Sequence, residues 1–143
     1  MGALDQPADG RHVTEDSRPH RLLALAGGAA AIRASSREGE GFVVFPEGEI
    51  LNYVSGRRNP IRHKLYLPGY LNARNERGIL AELEIAAPAA VVVWRRALGK
   101  YGAGSFGEDY GREIRRWIGR NYERKPPAGS LLFEYYVRRA PVR

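Results

Sequence analysis

Apolar positions change period several times along the chain, and each change marks an element. Phe42-Val43-Val44-Phe45 is a continuous apolar run stopped by Pro46, which predicts a short strand buried on both faces. Ala90–Trp94, with three consecutive valines, is the strongest strand pattern. Residues 64–67, ended by Pro68-Gly69, and residues 131–137 read as two further strands. Between them the spacing turns helical. Ile79, Leu80, Leu83 and Ala86 or Ala87 form one face of a helix over 76–87, with Glu76, Arg77, Glu82 and Glu84 mostly off that face. Tyr110, Ile114, Trp117, Ile118 and Asn121 give a second amphipathic helix over 109–122. Glu49–Ser55 predicts a short helix with Ile50, Leu51 and Val54 inward and Gly56 as its stop. Leu22, Leu23, Leu25, Ala26, Ala29, Ala30 and Ile32 form a looser helical face interrupted by Gly27-Gly28.

Strands alternating with helices predict an α/β fold: a small, mostly parallel sheet of about four strands flanked by helices, in a single domain over 21–143. Either direction of the last strand is compatible with the pattern. Residues 1–20 carry Pro7, Gly10, Pro19 and several charges without apolar period, and read as a flexible tail or linker.

A chain of 143 residues, 43% hydrophobic and 27% charged, can bury one real core. It has no cysteine, which excludes a disulfide framework, a thiolate zinc site and a thiol nucleophile. The longest weakly polar run, 22–32, is about half the length of a membrane span, and an acidic start replaces the basic region of a signal peptide. The expectation is a soluble chain, cytoplasmic as written. The net charge is +7, and of the 23 basic residues 20 are Arg. Codon bias in a GC-rich genome explains such an excess better than anion recognition does. The basic pairs at Arg57-Arg58, Arg95-Arg96, Arg115-Arg116 and Arg138-Arg139 are separated by acids. That scatter argues against the continuous basic stripe of a nucleic-acid interface.

Ligands of open α/β sheets collect beyond the carboxyl ends of the strands. Two segments leave such ends here: Pro46-Glu47-Gly48, and the stretch from Arg95 through Tyr101 to Tyr110. If the strands before them are neighbours, Glu47 faces Glu108, Asp109 and Tyr110, and the loop carrying Arg57 and Arg62 lies beside them. The functional reading is a polar cleft for a sugar, phosphate or peptide. The structural reading is an ion-pair network tying loops to the sheet, with Asp109 as a helix N-cap and Glu108 facing the helix dipole. His12, His20 and His63 lack metal-ligand spacing. No serine sits in a nucleophile-elbow context, and Gly99, Gly102, Gly104 and Gly107 form no phosphate-cradling motif. No metal, cofactor or catalytic residue is therefore expected.

One ordered series of short motifs goes further. Residues 42–48, Leu51-Asn52-Tyr53, Gly56-Arg57, Asn59-Pro60, Arg62 and Leu67-Pro68-Gly69 are followed by 88–93, Tyr101-Gly102, 106–111, Trp117-Ile118 and Asn121-Tyr122. Over roughly residues 40–125 this series resembles the soluble C-terminal region of bacterial multi-spanning membrane proteins described as glycosyltransferases of the dolichyl-phosphate-mannose mannosyltransferase type. The resemblance implies a lipid-phosphate-linked sugar donor and catalytic acids in loops between membrane helices, neither of which this sequence carries. It therefore implies an accessory extramembrane domain without catalysis of its own. Such a domain would partner a membrane-embedded glycosyltransferase part and lie on the extracytoplasmic face of the membrane. The alternative is a free-standing module for an anionic ligand such as a nucleotide or phosphosugar.

Overall fold

The computed structural model describes residues 18–95, 98–126 and 132–141, the side chains of 18–21 excepted. Four helices, α1 (Arg18–Ser35), α2 (Glu49–Ser55), α3 (Glu76–Ala86) and α4 (Arg112–Asn121), accompany four strands, β1 (Phe42–Phe45), β2 (Ala90–Trp94), β3 (Tyr122–Lys125) and β4 (Phe133–Arg138). The strands form one sheet in the order β1-β2-β4-β3.

β1 and β2 run parallel, with Phe42 opposite Ala90 and Phe45 opposite Val93. Alternate residues of both strands enter two separate cores. Val43, Phe45, Val91 and Val93 pack with Ile79 and Leu83 of α3 and Ile114, Trp117 and Ile118 of α4. Phe42, Val44, Ala90 and Val92 face the other way, onto Ala24 and Ile32 of α1 and Leu51 of α2. Burial on both faces is why these strands read as unbroken apolar runs. Each fully buried side chain of this kind contributes about 1.5–3 kcal/mol. Gly28 allows α1 to approach α2 closely: a Cβ there would stand 3.2 Å from Leu51 Cδ2.

The sheet is mixed rather than mostly parallel. β4 pairs antiparallel with both β2 and β3. The reason lies in the connections. α4 passes directly into β3, since Tyr122 is both the C-cap of α4 and the first residue of β3. β3 and β4 then lie too close in sequence for the crossover a parallel pair requires.

Residues 64–67 do not form a strand. The segment from Arg58 to Tyr66 instead runs beside β1. Phe42 N–H donates to Arg58 O (3.2 Å) and Tyr66 N–H donates to Pro46 O (2.7 Å), which covers the outer edge of the sheet. The described part of the expected tail, residues 18–20, is the first turn of α1. Residues 1–17 lie outside the described residues. No helix among the described residues is long and apolar enough to cross a membrane.

Candidate functional site

Because β1 and β2 are parallel neighbours, their carboxyl ends open on the same rim. Phe45 ends β1 and is followed by a cis bond to Pro46, then Glu47 and Gly48. Gly48 has φ 150°, and a Cβ there would stand 2.6 Å from Val44 Cγ1 and 3.8 Å from the Trp94 ring at the end of β2. Only glycine fits that turn. From the other strand, the loop after β2 returns to stack Phe106 on Phe45, with ring centroids 4.9 Å apart. The structure thus brings the segments carrying Glu47 and Glu108–Tyr110 to one rim.

Within the loop the polar groups have distinct positions. Asp109 Oδ2 accepts the Gly104 N–H. Gly107 N–H donates to Tyr110 O (2.8 Å), closing a tight turn around Glu108 and Asp109. Asp109 is not the N-cap of α4. That position is Gly111, whose side is crowded by Phe106 and Leu71. The orphan N–H groups of Glu113 and Ile114 donate instead to Glu76 Oε1 of α3, at 2.8 and 3.1 Å. Glu108 is exposed, and its carbonyl accepts the Arg112 Nε–H. The Tyr110 hydroxyl is buried without a hydrogen-bond partner among the described residues, and burial pushes the phenol up to about 12.

Arg57 lies elsewhere. α2 carries the chain back along β1, and Asn52 Nδ2 donates both to Phe42 O at the start of β1 and to Arg57 O, each at 3.1 Å. Arg57 is therefore at the opposite end of the strand from Glu47. Its guanidinium donates to Ser36 Oγ and Ser36 O, also at 3.1 Å, which pins the loop after α1. Arg62 also stands apart from the rim loop, paired with Glu82 of α3 at 3.3 Å.

The rim holds a cavity of about 500 Å³ that the sequence reading did not assemble. It is bounded by Trp94 at the end of β2, Arg95 after it, Ser105 to Glu108 in the loop, Arg115 of α4 and Glu134 of β4. Glu134 is at its base, with 13% of its side chain exposed. Arg115 donates to its Oε2 (2.8 Å) and the Tyr136 hydroxyl donates to the same oxygen (2.7 Å). Arg95 Nε donates to Oε1 (3.2 Å), and Arg124 of β3 comes within 4.0 Å of that oxygen. Burial alone would raise the Glu134 carboxyl. The Tyr136 hydrogen bond, Arg115 and Arg124 outweigh it and hold the group below its ordinary value. Arg115 is fixed further by the Tyr136 ring, 5.1 Å from its Cζ, and by the Gly107 backbone, where a Cβ would meet its stem at 2.6 Å.

No protein-family model matches the chain, and no curated protein or solved structure is significantly similar to it.

Glu134 was missed in the sequence, although one signal could have found it. It is the only acid in the strand pattern Phe133-Glu134-Tyr135-Tyr136-Val137, and the period of two puts it on one face with Tyr136. Its partners Arg95, Arg115 and Arg124 come from three other segments, and no local pattern connects them. Among the described residues, no group of three or more His, Cys, Asp or Glu could hold a metal ion.

Proposed function

We propose that the chain is an accessory extramembrane domain of a glycosyltransferase-like membrane protein, without catalysis of its own. What supports the reading is the work its motif residues perform. Asn52, Asn59 and Asp109 all have side-chain oxygens or amides engaged with backbone groups that shape the loops. Phe45, Tyr66, Phe106 and Tyr110 pack ring on ring beneath them. Residues used to fix loop shape are suited to presenting a surface or a cleft, not to nucleophilic or acid–base chemistry. The domain would position loops or acceptor beside the membrane-embedded part.

Affinity-tagged chain expressed in its own host and extracted in mild detergent tests this reading. It predicts co-purification with a multi-spanning membrane protein of glycosyltransferase type. Recovery from the aqueous fraction as a monomer, with no such protein attached, would refute it.

A second reading, a module for an anionic ligand, is favoured by one observation: guanidinium groups outnumber carboxylates around Glu134.

A further inference from the structure

We propose that Arg95 and Arg115, with Arg124 behind them, form a binding site for a phosphate monoester in the cavity above Glu134. The inference rests on the anion-binding reading and names its site and its ligand class.

Donor numbers carry the argument. Each guanidinium has five N–H donors and no acceptor. Glu134 has two oxygens. One takes Arg115 and the Tyr136 hydroxyl, the other takes Arg95 Nε, and Arg124 at 4.0 Å remains beyond hydrogen-bond distance. Among the described residues, most of the donors on the three arginines are thus left over by the carboxylate they share. Charge gives the same result. Arg95 and Arg115 in the lining and Arg124 beside Glu134, against the carboxylates of Glu134 and Glu108, leave +1 around the cavity. A phosphate monoester carries about −1.5 to −2 near neutral pH. The geometry is also prepared in advance. Arg115 is held by a carboxylate, a ring face and a glycine backbone, so little side-chain freedom is lost when it binds. Arg95, with 54% of its side chain exposed, has its Nε anchored and no partner on its outer nitrogens among the described residues. A fork held in this way suits paired contacts to phosphate oxygens.

The remaining lining defines the rest of the ligand. Ser105 and Glu108 stand on the loop side of the cavity, and Trp94 and Phe106 supply apolar wall. Glu108 repels a second phosphate and can accept from a hydroxyl. The site therefore fits a phosphate borne on a small hydroxylated body and disfavours a polyphosphate chain.

The test is a backbone NMR titration of the full chain with inorganic phosphate and with a hexose 1-phosphate, at fixed low ionic strength. The expected result is saturable shifts confined to residues around 95, 105–108, 115 and 134, with the hexose phosphate tighter than phosphate. Arg95→Gln, which alters an exposed side chain, should weaken binding about tenfold, the loss of one charge-assisted contact. Arg57→Gln, at the far end of β1, should leave it unchanged. Saturable binding that shifts amides elsewhere, or falls equally in both variants, overturns this site and leaves the anion-binding reading standing. No saturable binding of either probe overturns both.

Discussion

Phe45, the last residue of β1, stacks on Phe106 in the loop after β2, with ring centroids 4.9 Å apart and planes 7° from parallel. The contact joins the trailing segments of two parallel neighbours, and the rim is built on it. Tyr66 tilts against Phe45, and Tyr110 meets Phe106 edge-on. Loop, strand end and edge-covering segment are thereby held as one unit.

Glu76 caps α4 from a different helix. Its Oε1 accepts two N–H groups that α4 cannot satisfy itself. Glu76→Ala should lower unfolding free energy by about 0.5–2 kcal/mol, the range of a lost N-cap. Glu76→Gln keeps an acceptor oxygen and should recover much of that. Urea denaturation of the three proteins checks this, and equal losses in both variants would contradict it.

The Tyr110 hydroxyl is buried with no partner among the described residues, so it contributes desolvation cost and no hydrogen bond. Tyr110→Phe should therefore be neutral or stabilising by up to about 1 kcal/mol. Spectrophotometric titration should also lose one tyrosine titrating near 12. A drop in thermal stability on removing the hydroxyl would mean that it has an essential partner.

Glu134 links the cavity to acid stability. Its carboxyl is depressed in the folded state below the ordinary value of 4.5. The unfolded chain therefore binds the proton first as pH falls. Its contribution is complete above that ordinary value and is lost as pH drops through the lower, folded one. Glu134→Gln should accordingly flatten the acid side of the stability–pH curve and lower the plateau above it, leaving the alkaline slope unchanged. An unchanged slope below about pH 4.5 would contradict the ion-pair geometry.

Much of this fold was legible because its central elements carry one clean period each. β1 and β2 are apolar without interruption since both faces are covered, and Pro46 and Pro88 bracket them visibly. α3 shows its buried face at Ile79 and Leu83. The edges were harder. Residues 122–125, Tyr-Glu-Arg-Lys, continue the helical spacing of Trp117 and Ile118, and only Tyr122 is buried, so the sequence reads on as helix where β3 begins. Residues 64–67 hold buried Tyr66 and Leu67, yet they meet β1 through a single backbone bond of Tyr66. The site divided along the same line. Glu47 and Glu108–Tyr110 follow neighbouring parallel strands, and the shared end of the sheet at which their segments leave was legible. Arg57 is ten residues from Glu47 in sequence, but α2 takes it to the other end of β1. The cluster on Glu134 depends on β4 lying antiparallel beside β2, a direction that the pattern left open.

The shared rim is tested most directly by a double-mutant cycle on the two rings that close it. Urea unfolding of wild type, Phe45→Leu, Phe106→Leu and the double variant gives their coupling energy. Stacked rings at this separation predict about 0.5–1.5 kcal/mol of favourable coupling. Losses that add within about 0.3 kcal/mol would mean the rings are not in contact, and that the loops after β1 and β2 do not share a rim.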